Sequence, residues 1–391
     1  MRIAFFTDSF SPIANGVTVS IHTFRRELEK QGHKVYIFAP KIESWKDSDK
    51  YIARVPVVYS PFIKNKPVFW KINFNREKIK KLGLDIVHSH FYYSYTNKPR
   101  QLADIAGVPL VHTVHNLFPE FCYFNHSPFQ SPEGAKRACE TTFRNYLNNT
   151  DLIIAPSASA KKYIEKKMVK TDIEVLATGI YPGDFISYPP HLMRMNFSVR
   201  PENKVLLYVG SISKEKNIEF LLKAFKKVWQ ALENVHLLII GGGPIEQDIL
   251  ELIARQPFSG SITTTGYLPK NKVNKIYGAC DLTLVPSPLE SQSLVTLESF
   301  ASGTPVIAIK GSGAADFIDD RVDGVISKLD LNDFSDKIIN LLRAPNKLVH
   351  LGRNARIKAR RFNAKNQTGK LIEIYKSITK NLEGEKHSWN C

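Results

Sequence analysis

No apolar run in this 391-residue chain approaches the ~20 residues needed to cross a bilayer, which excludes a helical transmembrane span at the level of sequence. No GxGxxG stands between a strand and a helix, so a nicotinamide or flavin dinucleotide site is disfavoured. Nucleic-acid-binding motifs are absent, as is any long basic tail. Cysteine is scarce: Cys122, Cys139, Cys280 and Cys391 show neither CxxC nor other paired spacing. Neither a zinc site nor a disulfide framework is expected, and a reduced compartment fits. The opening run from Met1 is interrupted by Asp8 too early for a secretion signal and reads as a buried strand. The expected location is the cytoplasm.

Positive charge is in excess. Lys and Arg number 54 against 37 Asp and Glu, a net charge of +17. Such an excess fits a polyanionic partner, whether nucleic acid, an anionic membrane face or a phosphorylated substrate. Solvated surface lysines are the alternative, since the excess is spread along the chain. Without a nucleic-acid motif, a membrane surface is the preferred partner. Apolar residues at 43% and charged residues at 23% describe an ordinary globular protein, long enough for two cores.

Apolar strands alternate with amphipathic helices throughout. Strands are expected at 2–7, 34–39, 85–88, 109–114, 152–155 and 173–176, with helices at 17–30 and 99–106. The pattern restarts with strands at 204–209, 235–240, 262–265, 282–285 and 305–309, and helices at 218–232, 245–255 and 293–302. The expected fold class is α/β, two doubly wound Rossmann-like domains with a ligand cleft between them. The proline-rich segment 180–201 reads as the linker between domains at 1–180 and 181–362.

Chemistry is expected at the loops that follow the strands. Asp8 to Val17 carries Gly16 at a helix start, where backbone can approach a phosphate; a plain glycine turn reads equally well. Gly241-Gly242-Gly243-Pro244 reads as turn geometry. The strongest local signal runs from Ser287 to Pro305, where a helix begins near Ser293 and ends at Gly303. A diphosphate on the N–H groups of Leu294 and Val295 would place its sugar near Glu290. Its ribose would lie near Glu298, roughly 7–8 Å along the helix. An acidic helix start favoured by the macrodipole is the alternative. It accounts poorly for Glu290 and not at all for Glu298, whose neighbours are apolar.

Two glutamates eight residues apart, in this setting, resemble glycosyltransferase family 4, whose members are retaining enzymes of GT-B architecture. The resemblance covers nearly the whole length: Pro12, Asn15-Gly16-Val17 and Gly32-His33-Lys34-Val35; Val209-Gly210-Ser211 to Asn217; Thr265-Gly266-Tyr267-Leu268-Pro269; and Glu290 to Val306. Its C-terminal stretch, 363–391, resembles a helix that returns to complete the first domain. The resemblance implies that Glu290 contacts the donor sugar, Glu298 the ribose, and Lys216 the diphosphate. It also implies that Gly16 approaches the diphosphate, that His115 faces the sugar, and that Tyr267 and Leu268 border the base. His88 and His90 read as core histidines. Ser211 stands where the family commonly has Arg, which removes one diphosphate cation and leaves donor binding weaker or compensated elsewhere. Tyr181 replaces a usual acidic or amide residue after Thr178-Gly179-Ile180. The implied donor-binding set is therefore Gly16, Ser211, Lys216, Tyr267, Leu268, Glu290, Ser293, Leu294, Val295 and Glu298. His115, Glu290 and Lys216 are nearest the chemistry.

No DxD-type triad stands where it could hold a metal, and no cofactor is expected beyond the sugar nucleotide as substrate. Lys216 and the helix N–H groups would meet the departing anion, and retention would follow by front-face substitution. For the acceptor, segments 60–81 and 117–148 interleave aromatics with cations. The first holds Phe62, Phe69, Trp70 and Phe74 among Lys64, Lys66, Lys71, Arg76, Lys78, Lys80 and Lys81. The second holds Phe118, Phe121, Tyr123, Phe124 and Phe129 near Lys136 and Arg137. Such segments suit a headgroup interface, or a core with solvated lysines. The loops are most similar to those of bacterial diacylglycerol glucosyltransferases, which implies UDP-glucose, a diacylglycerol acceptor and a peripheral place on the cytoplasmic membrane face. A GDP-mannose-dependent lipid mannosyltransferase is the alternative within the family. Outside it stand a non-catalytic sugar-nucleotide-binding protein and a nucleic-acid glucosyltransferase.

Overall fold

The computed structural model describes residues 1–13, 15–59, 67–68, 73–91, 96–124, 131–186 and 188–388, the side chains of 59, 67–68 and 381–388 excepted. The chain forms two units, Met1–Gly179 with Ala364–Cys391, and Ile180–Asn363.

Strands of the first unit are β1 (Arg2–Thr7), β2 (Lys34–Pro40), β3 (Ile52–Val55), β4 (Val58–Tyr59), β5 (Pro67–Val68), β6 (Ile86–His90), β7 (Leu110–Thr113), β8 (Leu152–Ala155) and β9 (Ile173–Val175). Seven of them form one parallel sheet in the order β3-β2-β1-β6-β7-β8-β9, and β4 pairs with β5 as a separate antiparallel ribbon. Strand residues sort by parity, as a pleat with period two requires. Ile3, Phe5, Val35 and Ile37 face one core, with Val17, Ile21, Phe24 and Leu28 of the helix Gly16–Lys30. Ala4, Phe6 and Phe38 face the other, with Leu102 and Phe143. Both faces are covered, so the strands read as continuous apolar runs. Asn15 caps the helix Gly16–Lys30 by accepting from the Thr18 N–H.

The second unit holds β10 (Lys204–Val209), β11 (Val235–Ile240), β12 (Ile262–Thr264), β13 (Leu282–Val285), β14 (Val306–Ile309) and β15 (Gly324–Ser327). They form a parallel sheet in the order β12-β11-β10-β13-β14-β15. In each sheet the winding reverses at one strand, at β1 between β2 and β6, and at β10 between β11 and β13. Ligands of doubly wound sheets bind beyond the carboxyl ends of strands at such a reversal.

Two expectations need correction. The segment 180–201 is part of the second unit: it contains the turn Pro182–Asp184 and the helix Pro190–Asn196. Pro190 is the first residue of that helix, where a missing N–H costs nothing, so the proline starts structure here. Met193 is fully buried, and the Tyr188 N–H donates to the Lys275 carbonyl at 2.8 Å. Second, Cys122 and Cys139 form a disulfide, with Cα atoms 6.6 Å apart. It joins the helix Phe118–Phe124 to the helix Pro132–Leu147, whose Phe118, Ala135 and Phe143 share one core. Packing of the two helices sets the pairing, and residue spacing carries no sign of it. Cys280 is free and buried, and Cys391 lies outside the described residues.

The helix Ala364–Ser388 belongs to the first unit, where Leu371, Ile372 and Tyr375 join the core of Ile21, Phe24 and Leu28. Tyr375 is wholly buried, and its hydroxyl lies 2.5 Å from His88 Nδ1. Tyr375→Ala should therefore destabilise the first unit by about 3–5 kcal/mol. Tyr375→Phe, which removes only the hydrogen bond, should destabilise it by about 1–3 kcal/mol. Equilibrium urea unfolding followed in the first unit checks both; a neutral Tyr375→Ala would contradict this packing.

Candidate functional site

In the second unit the loops that follow β10 and β13 are stitched together. The Ser287 hydroxyl donates to the Glu215 carbonyl at 3.0 Å, and the Asn217 side-chain amide donates to the Pro286 carbonyl at 3.2 Å. Lys216 Nζ donates to Glu290 Oε1 at 2.7 Å, with the two side chains 25% and 12% exposed. The Glu290 carbonyl in turn accepts from the Gly313 N–H at 2.7 Å. Any side chain at Gly313 would strike the carbonyls of Glu290 and Ser291. Gly241, at φ +140°, lets the loop after β11 lie against the Gly210 carbonyl, where a Cβ has no room. Gly241 and Gly243, the latter against the Ile212 backbone, thus serve close backbone approach.

Ser293 caps the helix Leu294–Ser302, its hydroxyl accepting from the Thr296 N–H at 3.2 Å. Leu294 and Val295 are its first two residues, so their N–H groups lie outside the helix's own ladder, at its positive end. Ser211 is exposed and its carbonyl accepts from the Tyr208 hydroxyl at 2.8 Å. Burial, with the charges of Glu290 and Glu215, pushes that phenol well above its ordinary value, so Tyr208 stays a donor. Glu298 is 4% exposed and has two protein partners, the Tyr277 hydroxyl at 2.8 Å and the Lys270 ammonium. The sequence signals neither; both depend on how the stretch after Tyr267 and Leu268 folds. The turn before it starts at Gly266, whose carbonyl accepts from the Gly241 N–H at 2.9 Å, and the stretch itself runs into the helix Lys270–Ile276. Tyr267 is 65% exposed and Leu268 half-buried.

In the first unit Gly16 opens its helix, and a Cβ there would meet open space. The Asn15 amide also donates to Ser9 Oγ at 2.6 Å, which fastens the loop after β1. His115, just beyond β7, is joined through Nε2 to His90 Nδ1 at 2.9 Å. His88 is a core residue, held between Tyr375 and Thr113 Oγ1 at 2.7 Å. His90 is wholly buried too, as a core histidine should be, and is the partner of His115. His112 Nδ1 meets Ser89 Oγ at 2.8 Å, and Ser89 meets the Tyr146 hydroxyl at the same distance. Burial pushes all four imidazoles down, His112 and His115 to about 3, so each is neutral at pH 7.

The aromatic–basic segments divide. Phe74 stacks edge-on against Phe6 and Phe38, and Phe118 is buried, so both belong to the core. Arg76, Lys78, Lys80 and Lys81, on the helix Arg76–Leu82, are exposed. Lys136 pairs with Glu120 beside Tyr123. Phe62, Lys64, Lys66, Phe69, Trp70, Lys71 and Phe129 lie outside the described residues. Among the described residues, no helix is long and apolar enough to cross a membrane, and no cluster of three His, Cys, Asp or Glu residues could hold a metal ion.

Residues 14–183 match Glycosyltransferase Family 4, and residues 194–358 match Glycosyl transferases group 1. An alpha-monoglucosyldiacylglycerol synthase of Streptococcus pneumoniae is 31% identical over 340 residues, 83% of this chain and 75% of that protein. The chain is a family 4 glycosyltransferase. A second alpha-monoglucosyldiacylglycerol synthase, from Acholeplasma laidlawii, is 25% identical to this glycosyltransferase over 376 residues, 93% of each protein. The crystal structure of Anabaena HepE in complex with UDP superposes with a TM-score of 0.75 at 18% identity, covering 96% of this chain and all of that one. The glycosyltransferase has the GT-B fold, two parallel-sheet α/β domains.

Four buried neutral imidazoles make the glycosyltransferase acid-sensitive. Their folded pKa values lie below the unfolded value of about 6.5, so the stability they contribute is complete above that pH and is lost as pH falls. A histidine titrating near 3 when folded should reduce stability by about 2 kcal/mol between pH 8 and pH 5. Urea unfolding at the two pH values measures it; equal stabilities would contradict a neutral cluster.

Proposed function

We propose that this glycosyltransferase moves glucose from UDP-glucose, with retention of configuration, to the free hydroxyl of a membrane diacylglycerol. One observation carries the donor half: Lys216 pairs with Glu290 in the loop that leads into the helix Leu294–Ser302, whose first N–H groups lie outside its own ladder, at the reversal of the second sheet. A diphosphate needs fixed positive charge and N–H donors where charge develops as the glycosidic bond breaks, and this corner supplies both. Glu290 orients Lys216 and accepts from sugar hydroxyls. Glu298, eight residues on, accepts from the ribose, while Tyr267 and Leu268 border the base. Ser293 fixes the helix start, and Ser211 lies in the loop against the diphosphate.

The work a metal would do falls to Lys216 and the helix N–H groups, so no divalent cation is required. Support for the acceptor comes from two relatives named as alpha-monoglucosyldiacylglycerol synthases, from the +17 charge, and from the exposed Arg76, Lys78, Lys80 and Lys81. Each cation near an anionic surface adds about 1 kcal/mol of attraction, enough in combination to hold the enzyme peripherally on the cytoplasmic leaflet.

In vesicles of phosphatidylglycerol and diacylglycerol, transfer from UDP-glucose should persist in EDTA and fall with added salt. Glu290→Ala should lower turnover by about a hundredfold with the fold intact. Transfer abolished by EDTA and restored by Mg²⁺ would contradict the metal-free mechanism. Transfer to a soluble sugar with none to diacylglycerol would contradict the acceptor.

A further inference from the structure

Glu298 is a buried carboxylate whose two oxygens are both taken. The Tyr277 hydroxyl donates to Oε2 at 2.8 Å, and the Lys270 ammonium pairs with Oε1. Both partners come from one stretch, the helix Lys270–Ile276 continuing into the 3-10 turn Tyr277–Ala279. Residues seven apart return to the same face after two helical turns, which aims both at one carboxylate.

The two partners differ in freedom. Tyr277 is wholly buried, its carbonyl accepts from Thr304 Oγ1 at 2.7 Å, and its ring meets Phe185 edge-on at 6.3 Å. Burial and the neighbouring carboxylate push its phenol well above the ordinary value, so it stays a donor. The Lys270 side chain is 45% exposed, and its ammonium lies 5.6 Å from the centre of the Phe185 ring. A hydroxyl arriving from solvent can take Oε1 from the lysine, whereas the tyrosine has nowhere to move.

We propose that Tyr277 is a positioning residue that fixes the plane of the Glu298 carboxylate, and that Lys270 is an exchangeable partner holding Oε1 until the donor ribose replaces it. This rests on Glu298 as the ribose acceptor. A buried carboxylate lacking donors is costly, and Lys270 meets that cost at Oε1. Once displaced, its ammonium keeps the Phe185 face as a second resting place.

The two partners should respond oppositely to substitution. Calorimetric titration with UDP and with 2′,3′-dideoxy-UDP, on the wild type, Tyr277→Phe, Lys270→Met and Glu298→Gln, separates the roles. Tyr277→Phe should weaken UDP about tenfold while dideoxy-UDP changes less than about twofold, because only the hydroxyls feel the carboxylate. Lys270→Met should bind UDP as tightly as the wild type or more tightly, melt at a lower temperature without nucleotide, and recover on adding UDP. If Tyr277→Phe weakens both nucleotides equally, Tyr277 acts through packing alone and the positioning role is wrong. Loss of UDP affinity in Lys270→Met would make Lys270 a direct ligand and overturn the exchange. Glu298→Gln tests the underlying reading: wild-type affinity for UDP in that variant removes ribose recognition and the inference with it. Discrimination lost in Glu298→Gln but kept in Tyr277→Phe removes the inference alone.

Discussion

Parallel pairing of β10 with both β11 and β13 is the constraint on which the Lys216–Glu290 corner depends. Connections on the two sides of β10 leave toward opposite faces of the sheet, which places a crevice beyond its carboxyl end. Close backbone contacts fix the loops there: Gly241 packs on Gly210, and Gly313 packs on Glu290 and Ser291. Polar side chains are then added to a frame the backbone has already set: Lys216 from one loop, Glu290 from the other, and Ser293 fixing the helix start between them.

The two units solve the problem of buried polarity in different ways. In the second, charges are paired: Glu290 with Lys216, and Glu298 with Lys270 and Tyr277. Each carboxylate thus has an ammonium at close range, which offsets the cost of its burial. In the first, four buried histidines lie together, and burial holds them neutral. A neutral imidazole both donates and accepts, which suits hydroxyl groups.

Much of this was legible in the sequence because the sheets are parallel and covered on both faces. Continuous apolar runs such as Ile3 to Phe6 and Leu237 to Ile240 have few alternatives to a central strand, and the ends fell within one or two residues. Glu290 and Glu298 were legible for a local reason, a polar pair set on a capped helix start. What escaped depends on packing between distant segments. Nothing near Cys122 marks Cys139 as its partner, since two helices must first pack. Prolines at 189 and 190 read as a linker, yet one of them starts a helix seated on the second unit. Lys270 and Tyr277 look like a surface lysine and a core aromatic until the fold brings Glu298 between them. His90 is as buried as His88, and only its bond to His115 separates their roles.

The central claim is that the reversal at β10 binds the diphosphate of a sugar nucleotide. Amide hydrogen exchange with and without UDP tests it most directly, peptide by peptide. The account predicts slower exchange on adding UDP in two places, the loop 210–217 and the peptide that carries Leu294 and Val295. Unchanged exchange in both, with UDP bound and protection confined to other segments, would contradict it.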